Sequence, residues 1–254
     1  MKNIRSALFI AVLQIAAVVL PCYSTDELTA IRMRVSSGPK SSDRYIESAL
    51  QKFKYMDYEG CIADATLSIQ LKPTADKYFV RALARRETGK LLEAEQDFEK
   101  SAQLNPGSPN AYAELACLSV KLRHFDKAGK AFDQLFKLCP KRCVERSRRA
   151  EMYLLMKKPQ EAINDILICM KTDKDPGGRC HGFLGQAYLQ LHQYEKAVAA
   201  FTFAIDKNQF SIDARKGRAE AYEKMGKTKL AAQERKALEE EFSEAFDNAP
   251  FRSK

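Results

Sequence analysis

The chain reads as an all-α protein built from a stack of helix pairs. Three observations predict this. A pattern of one aromatic, two small residues and a closing Pro or Asn recurs at nearly constant pitch, as Tyr78-Ala82-Ala94-Phe98-Pro106 and again as Tyr112-Ala116-Ala128-Phe132-Pro140. It returns as Gly185-Tyr188-Ala197-Phe201-Ala204, and more faintly around Tyr45-Ala49, Ala150-Tyr153-Ala162 and Ala219-Tyr222-Ala231. Repeats that open at Ser42, Ala75, Pro109, Cys143, Gly178 and Ile212 lie, by subtraction, 33, 34, 34, 35 and 34 residues apart. Such a fixed period is the signature of a stacked repeat, and an ordinary helical bundle has no reason to keep it.

Each repeat is expected to be helix, turn, helix. In Ala75 to Pro106 the apolar residues Tyr78, Leu83, Leu91, Phe98 and Leu104 fall at helical spacing, with Ala82, Ala94 and Ala102 between them. That spacing lays one apolar stripe along each helix, and small residues at the crossing let two helix axes approach to ~8–10 Å. Gly89 stands where the first helix must turn. Pro106 closes the second helix, and Pro159 opens one, where its missing N–H costs nothing. One such pair cannot cover its own apolar face, so neighbours must stack.

These residues and this pitch closely resemble the tetratricopeptide repeat over residues 42–243, most specifically in repeats two, three and five. The six repeats are 42–74, 75–108, 109–142, 143–177, 178–211 and 212–243. The first has Cys61 and Ala65 where the second has Ala94 and Phe98, and the sixth places Arg235 at the large position. The resemblance implies an α-solenoid, a right-handed superhelix with a concave face. It also implies that the first helix of each repeat lines that face. Carried over, the lining is Ile46, Leu50 and Phe53, then Phe79, Leu83 and Arg86, then Ala113, Cys117 and Val120. It continues with Ser147, Glu151 and Leu154 from the fourth repeat, Gln186 and Leu189 from the fifth, and Lys216, Glu220 and Glu223 from the sixth. The N-terminal part of this lining is apolar and the C-terminal part polar, which suits a peptide or an amphipathic partner helix. Relatives that clamp a C-terminal carboxylate do so with Lys and Asn side chains. Here the matching places hold Ile46, Leu50, Val80, Asn110 and Glu114, so that clamp is missing.

The ends carry separate signals. Lys2 and Arg5 precede an apolar run from Ala7 to Leu20, and Pro21-Cys22-Tyr23-Ser24 follow. This matches a secretory signal peptide over residues 1–24, and the run is short for a span of ~20 residues. The alternatives are an uncleaved N-terminal anchor and a lipidated Cys22. Export to a periplasm, the extracellular space or a secretory lumen is expected, with membrane contact only through the N-terminal segment if it stays attached. Residues 25–41 read as a flexible linker. Lys229 to Phe246 reads as one charged helix, and residues 244–254 as a C-terminal tail.

Formal net charge is +9, or +7 without Lys2 and Arg5. The densest basic run spans residues 141–149. Elsewhere positive residues alternate with acids and no aromatic platform accompanies the run, so it reads as a solvated turn and helix face rather than a nucleic-acid site. The competing use is a basic surface for an acidic polymer.

Seven cysteines less Cys22 leave six in the mature chain. The even count in an exported protein invites disulfides. Cys139 and Cys143 flank one turn, and Cys169 and Cys180 lie on helices that stacking brings together. Both pairs are candidates, while Cys61 and Cys117 stay apart. Cys180 and His181 with Cys169, or Cys139 and Cys143 with His124, offer zinc-ligand types without the paired short spacings of a zinc module. No metal or other cofactor is assigned. No phosphate loop, nucleophile elbow or paired-His motif occurs. The reading is a non-catalytic scaffold or adaptor for a protein or peptide partner; the alternative class is a thiol or metal protein.

Overall fold

In the computed structural model the backbone is described for residues 40–172, 177–207 and 212–247. The proposed leader at 1–24 and nearly all of the linker lie outside these residues, as does the tail beyond Asp247. The described residues form twelve α-helices: α1 Lys40–Lys54, α2 Tyr58–Leu71, α3 Ala75–Glu87, α4 Leu91–Leu104, α5 Pro109–Lys121 and α6 Phe125–Leu138, then α7 Cys143–Leu155, α8 Pro159–Thr172, α9 Gly177–Gln190, α10 Tyr194–Lys207, α11 Ile212–Lys224 and α12 Thr228–Asp247. Among them there is no strand. The chain divides into two compact units between Pro140 and Lys141, the first holding α1–α6 and the second α7–α12. Within each unit, every helix packs on its sequence neighbours. This is a tetratricopeptide-like all-α solenoid made of helix pairs.

The small positions carry the crossings. Ala49, Ala82, Ala116 and Ala150 are fully buried in the first helices of their repeats, as are Cys61, Ala94, Ala128, Ala162 and Ala197 in the second helices. Four residues beyond the latter, Phe98, Phe132, Ile166 and Phe201 are also fully buried. In the sixth repeat that large place is Arg235, whose guanidinium turns outward to Glu223 at 2.5 Å.

Gly89 turns the first helix of its repeat with φ +78°. The same place in the other repeats is Met56, Arg123, Lys157, His192 and Gly226, all with φ between 57° and 75°. Around each, two backbone bonds close the helix, as Gly89 N to Arg86 O at 3.1 Å and Lys90 N to Arg85 O at 2.8 Å. This is the Schellman closure. It recurs in every repeat whether or not glycine is present, so stacking imposes the turn on four residues that do not prefer it.

In the first unit Lys77 fastens three helices. Its buried Nζ donates to Ser42 Oγ at 2.5 Å, to Lys72 O at 2.7 Å and to Ser68 O at 3.4 Å. The end of α2 is thereby capped by a cation from α3. In the second unit the ring of Phe201 on α10 lies between two glycines. A Cβ on Gly185 of α9 would sit 2.6 Å from it, and one on Gly217 of α11 2.3 Å.

Candidate functional site

The first helix of each repeat contributes three lining places, spaced i, i+4 and i+7, so that all three share one helix face. In the first unit the structure grades them. Ile46, Phe79 and Ala113, at the i place, are buried. Ile46 belongs to the core shared by α1, α2 and α3, and Phe79 meets Phe98 edge to face with centroids 5.2 Å apart. These positions hold neighbouring helices together. At i+4, Leu83 is buried while Leu50 and Cys117 are half-buried. At i+7, Phe53, Arg86 and Val120 are all half-buried. The i+7 row is therefore the one place of the three that stays half-open in every repeat of this unit, with Leu50 and Cys117 half-open beside it.

Two of those repeats are stapled across the face. Arg86 on α3 donates from Nη1 to Glu114 Oε2 on α5 at 2.5 Å, and from Nη2 to Glu87 Oε1 at 3.0 Å. Burial works to lower the Arg86 guanidinium, and the two carboxylates outweigh it and hold it above its ordinary value. Glu114 could not be singled out from sequence as the partner of Arg86, because 28 residues separate them.

The second unit differs. Leu154 is buried in the core of α7–α10, and Ser147 is buried as well. Gln186 and Leu189 are half-buried, and Glu151, Lys216, Glu220 and Glu223 are exposed. Gln190 reaches back across the face and donates from Nε2 to Leu154 O at 3.1 Å.

Several side chains that read as solvated in the sequence turn inward. In the basic run, Arg142 pairs with Glu145 at 2.9 Å. Arg149 grips Asp165 through Nε at 2.6 Å and Nη2 at 2.7 Å, and Arg146 adds Nη1 at 3.2 Å. Asp165 lies sixteen residues beyond Arg149, on the facing helix. The run is thus internal at Glu145, Arg146 and Ser147, which corrects its reading as a solvated face at these places, while Lys141 and Arg148 are exposed as read. The same device appears with Arg81, Arg85 and Asp97, whose bonds are 2.6–2.8 Å long, and with Arg218 and Glu234 at 2.5 Å.

Glu95 forms a further buried knot. It accepts from Ser119 Oγ at 2.5 Å and Lys127 Nζ at 3.1 Å, and His124 Nδ1 stands 3.0 Å from both carboxylate oxygens. Burial pushes the Glu95 carboxyl up, but Ser119, His124 and Lys127 together hold it below its ordinary value of 4.5. Hydroxyl and imidazole both address the carboxylate rather than each other, so the trio lacks the hydroxyl–imidazole bond of a nucleophilic triad. His124, considered above as a metal ligand beside Cys139 and Cys143, is committed to this knot.

The six described cysteines are thiols without disulfides. Cys61 is buried, and desolvation, with Asp64 and Asp57 nearby, pushes it up to about 12. Cys139 caps the end of α6 in the first unit, and Cys143 is the first residue of α7 in the second. Cys169 and Cys180, the other candidate pair, are buried with their sulfurs 3.8 Å apart. Among the described residues no three His, Cys, Asp or Glu side chains are disposed to hold a metal ion. No described helix is long and apolar enough to cross a membrane.

A family model described as tetratricopeptide repeat matches residues 75–108, 109–142 and 178–206. This is a tetratricopeptide repeat protein. The matched stretches are the second, third and fifth repeats, the three in which Ala and Phe occupy the paired small and large places of the second helix. A search of curated protein sequences returns no match. Among solved structures, a tetratricopeptide repeat protein from Parabacteroides merdae ATCC 43184 superimposes with a TM-score of 0.71 at 17% identity, covering 79% of each chain. MamA from Desulfovibrio magneticus RS-1 gives 0.61 at 20% identity over 65% of this chain and 93% of that one. Another MamA structure gives 0.63 at 18% identity over 67% and 93%. At these identities the likeness is one of fold. The tetratricopeptide fold is consistent with a protein-interaction scaffold, and proteins of this kind are in general non-catalytic.

Proposed function

We propose that this tetratricopeptide repeat protein is an exported, non-catalytic scaffold that holds a protein or peptide segment on the first-helix face of its N-terminal unit. One observation carries the reading: Phe53, Arg86 and Val120 present one half-buried side chain per repeat along that face, above a layer that is already packed. Two apolar places flank one cation. A partner segment with apolar side chains and a carboxylate between them would match this order. The carboxylate would compete with Glu114 for the Arg86 guanidinium.

A photo-crosslinking residue at position 120 should capture a partner in the native compartment, and the same residue at exposed Leu67 on α2 should not. Val120→Asp should lower capture at least about tenfold while helical content is kept, since a charge would be desolvated at the contact. Capture unchanged by Val120→Asp, or equal from both positions, overturns the reading. Export rests on the basic and apolar N-terminal segment, and N-terminal sequencing of the mature protein tests it. A chain that still begins at Met1 would leave the anchored alternative. Binding of an acidic polymer is less favoured, because three arginines of the basic run, Arg142, Arg146 and Arg149, are held by Glu145 and Asp165.

A further inference from the structure

The three cysteines around α7, α8 and α9 form a cluster that the scaffold reading does not use. Cys143 is the first residue of α7, Cys169 lies near the end of α8 and Cys180 in the first turn of α9. Cys143 Sγ is 3.6 Å from Cys169 O, and Cys169 Sγ is 3.5 Å from Cys143 O, so the two side chains lie against each other's backbone. The Cys180 and Cys169 sulfurs are 3.8 Å apart. Cys169 and Cys180 are buried at 1% and 3% exposure, whereas Cys143 is half-buried. Cys169 is thus flanked by one thiol with access to solvent and one without.

The geometry points to an oxidation site: a disulfide between Cys169 and Cys180 that ties the fourth repeat to the fifth, formed by exchange with an external disulfide that enters through Cys143. To form the bond the two sulfurs close from 3.8 Å to ~2.05 Å. In the exchange, the Cys143 thiolate attacks one sulfur of a donor disulfide RS–SR and expels RS⁻, leaving a mixed disulfide. Cys169 attacks the Cys143 sulfur and expels the second RS⁻. Cys180 then attacks the Cys169 sulfur and returns Cys143 as a thiolate. The donor gains two electrons and the two protons given up by Cys169 and Cys180, and leaves as two RSH. Burial, followed by the hydrogen bond with Cys143 and the nearness of Cys180, pushes the Cys169 thiol up. A thiol so placed is a slow first attacker, and the half-buried Cys143 supplies the entry.

The sequence allows a direct test. Lys137, Arg142, Lys157, Lys171 and Arg179 let trypsin place Cys139, Cys143, Cys169 and Cys180 in four different peptides. The full chain is equilibrated in a glutathione buffer dominated by the disulfide form, alkylated without reductant, digested and mapped. The expected result is one linked peptide pair joining Cys169 to Cys180, with Cys143 alkylated. Cys143→Ser should slow the appearance of that pair by about tenfold or more and leave the end point unchanged. Cys180→Ser should lose the pair, with far-ultraviolet circular dichroism confirming that the helices remain. All of these cysteines alkylated singly at equilibrium, or a linked pair other than Cys169–Cys180, would overturn the site. An unchanged rate in Cys143→Ser would overturn the entry route. None of these results bears on partner capture at position 120.

Discussion

The second and third repeats solve one packing problem in two ways. In α3 and α4 the inner crossing is occupied by Arg81 and Asp97, sixteen residues apart, with Arg85 joining them. In α5 and α6 the same two places are Leu115 and Ala131, both buried. The second unit repeats the contrast: Arg149 and Asp165 in α7 and α8, then Leu184 and Ala200 in α9 and α10. Arg218 and Glu234 restore the ionic version in α11 and α12. A bidentate guanidinium–carboxylate pair and a leucine over an alanine therefore fill equivalent space. What the repeat requires there is a closed, saturated contact; its polarity is open. The ionic version carries a desolvation cost, and its geometry is directional. In two of the three ionic repeats the arginine also donates to a threonine of the preceding repeat, Arg81 to Thr66 at 3.1 Å and Arg218 to Thr202 at 2.9 Å. The leucine offers no such bond.

The contrast can be broken most severely by removing one ion. Asp97→Ala strands two mostly buried guanidiniums and should cost about 3–5 kcal/mol in denaturant unfolding of the full chain. A loss below about 1 kcal/mol would mean that the triad is solvated and that the comparison fails. Overfilling an apolar crossing comes next. Gly217→Ala drives a methyl into the Phe201 ring and should cost about 1–3 kcal/mol. Moving the third repeat's solution into the second, as Arg81→Leu with Arg85→Ser and Asp97→Ala, should recover most of what Asp97→Ala loses and end within about 1.5 kcal/mol of the parent.

Acid should act on the ionic knots first. Glu95 is held below its ordinary value, so near and below 4.5 the unfolded chain binds its proton before the native one does. Its contribution is complete above that range and fades as pH falls through the lower folded value. Glu95→Gln should flatten this part of the stability profile between neutral pH and the acid transition. The smallest effect belongs to the exposed pair of Lys90 and Glu59, 2.7 Å apart with side chains 42% and 65% exposed. Lys90→Ala should change stability by no more than about 0.5 kcal/mol.

Much of this architecture was legible in the sequence. Alanine, phenylalanine and proline at a 34-residue pitch specify where helices cross and stop, and Gly89 marks one turn openly. The turns at Met56, Arg123, Lys157 and His192 were not legible, because their φ is imposed by stacking rather than preferred by the residue. The ionic crossings escaped for another reason. Arginine and aspartate sixteen residues apart look like a solvated surface until the facing helix is placed, and the period of the device is two repeats, not one. The lining carried over from the family resemblance was legible as a helix face. Its grading, with Phe79 and Leu83 buried and Arg86 and Val120 partly open, depends on neighbours that no single repeat announces.

Phe201 sets a limit on how freely this chain can be recombined. Its ring needs a residue without a side chain above it and another below, supplied by Gly185 and Gly217 from different helices. The fifth and sixth repeats are consequently a mated set. Exchange of the sixth for a generic module would bring a methyl against the ring of the fifth, so any shuffling of this array has to cut elsewhere.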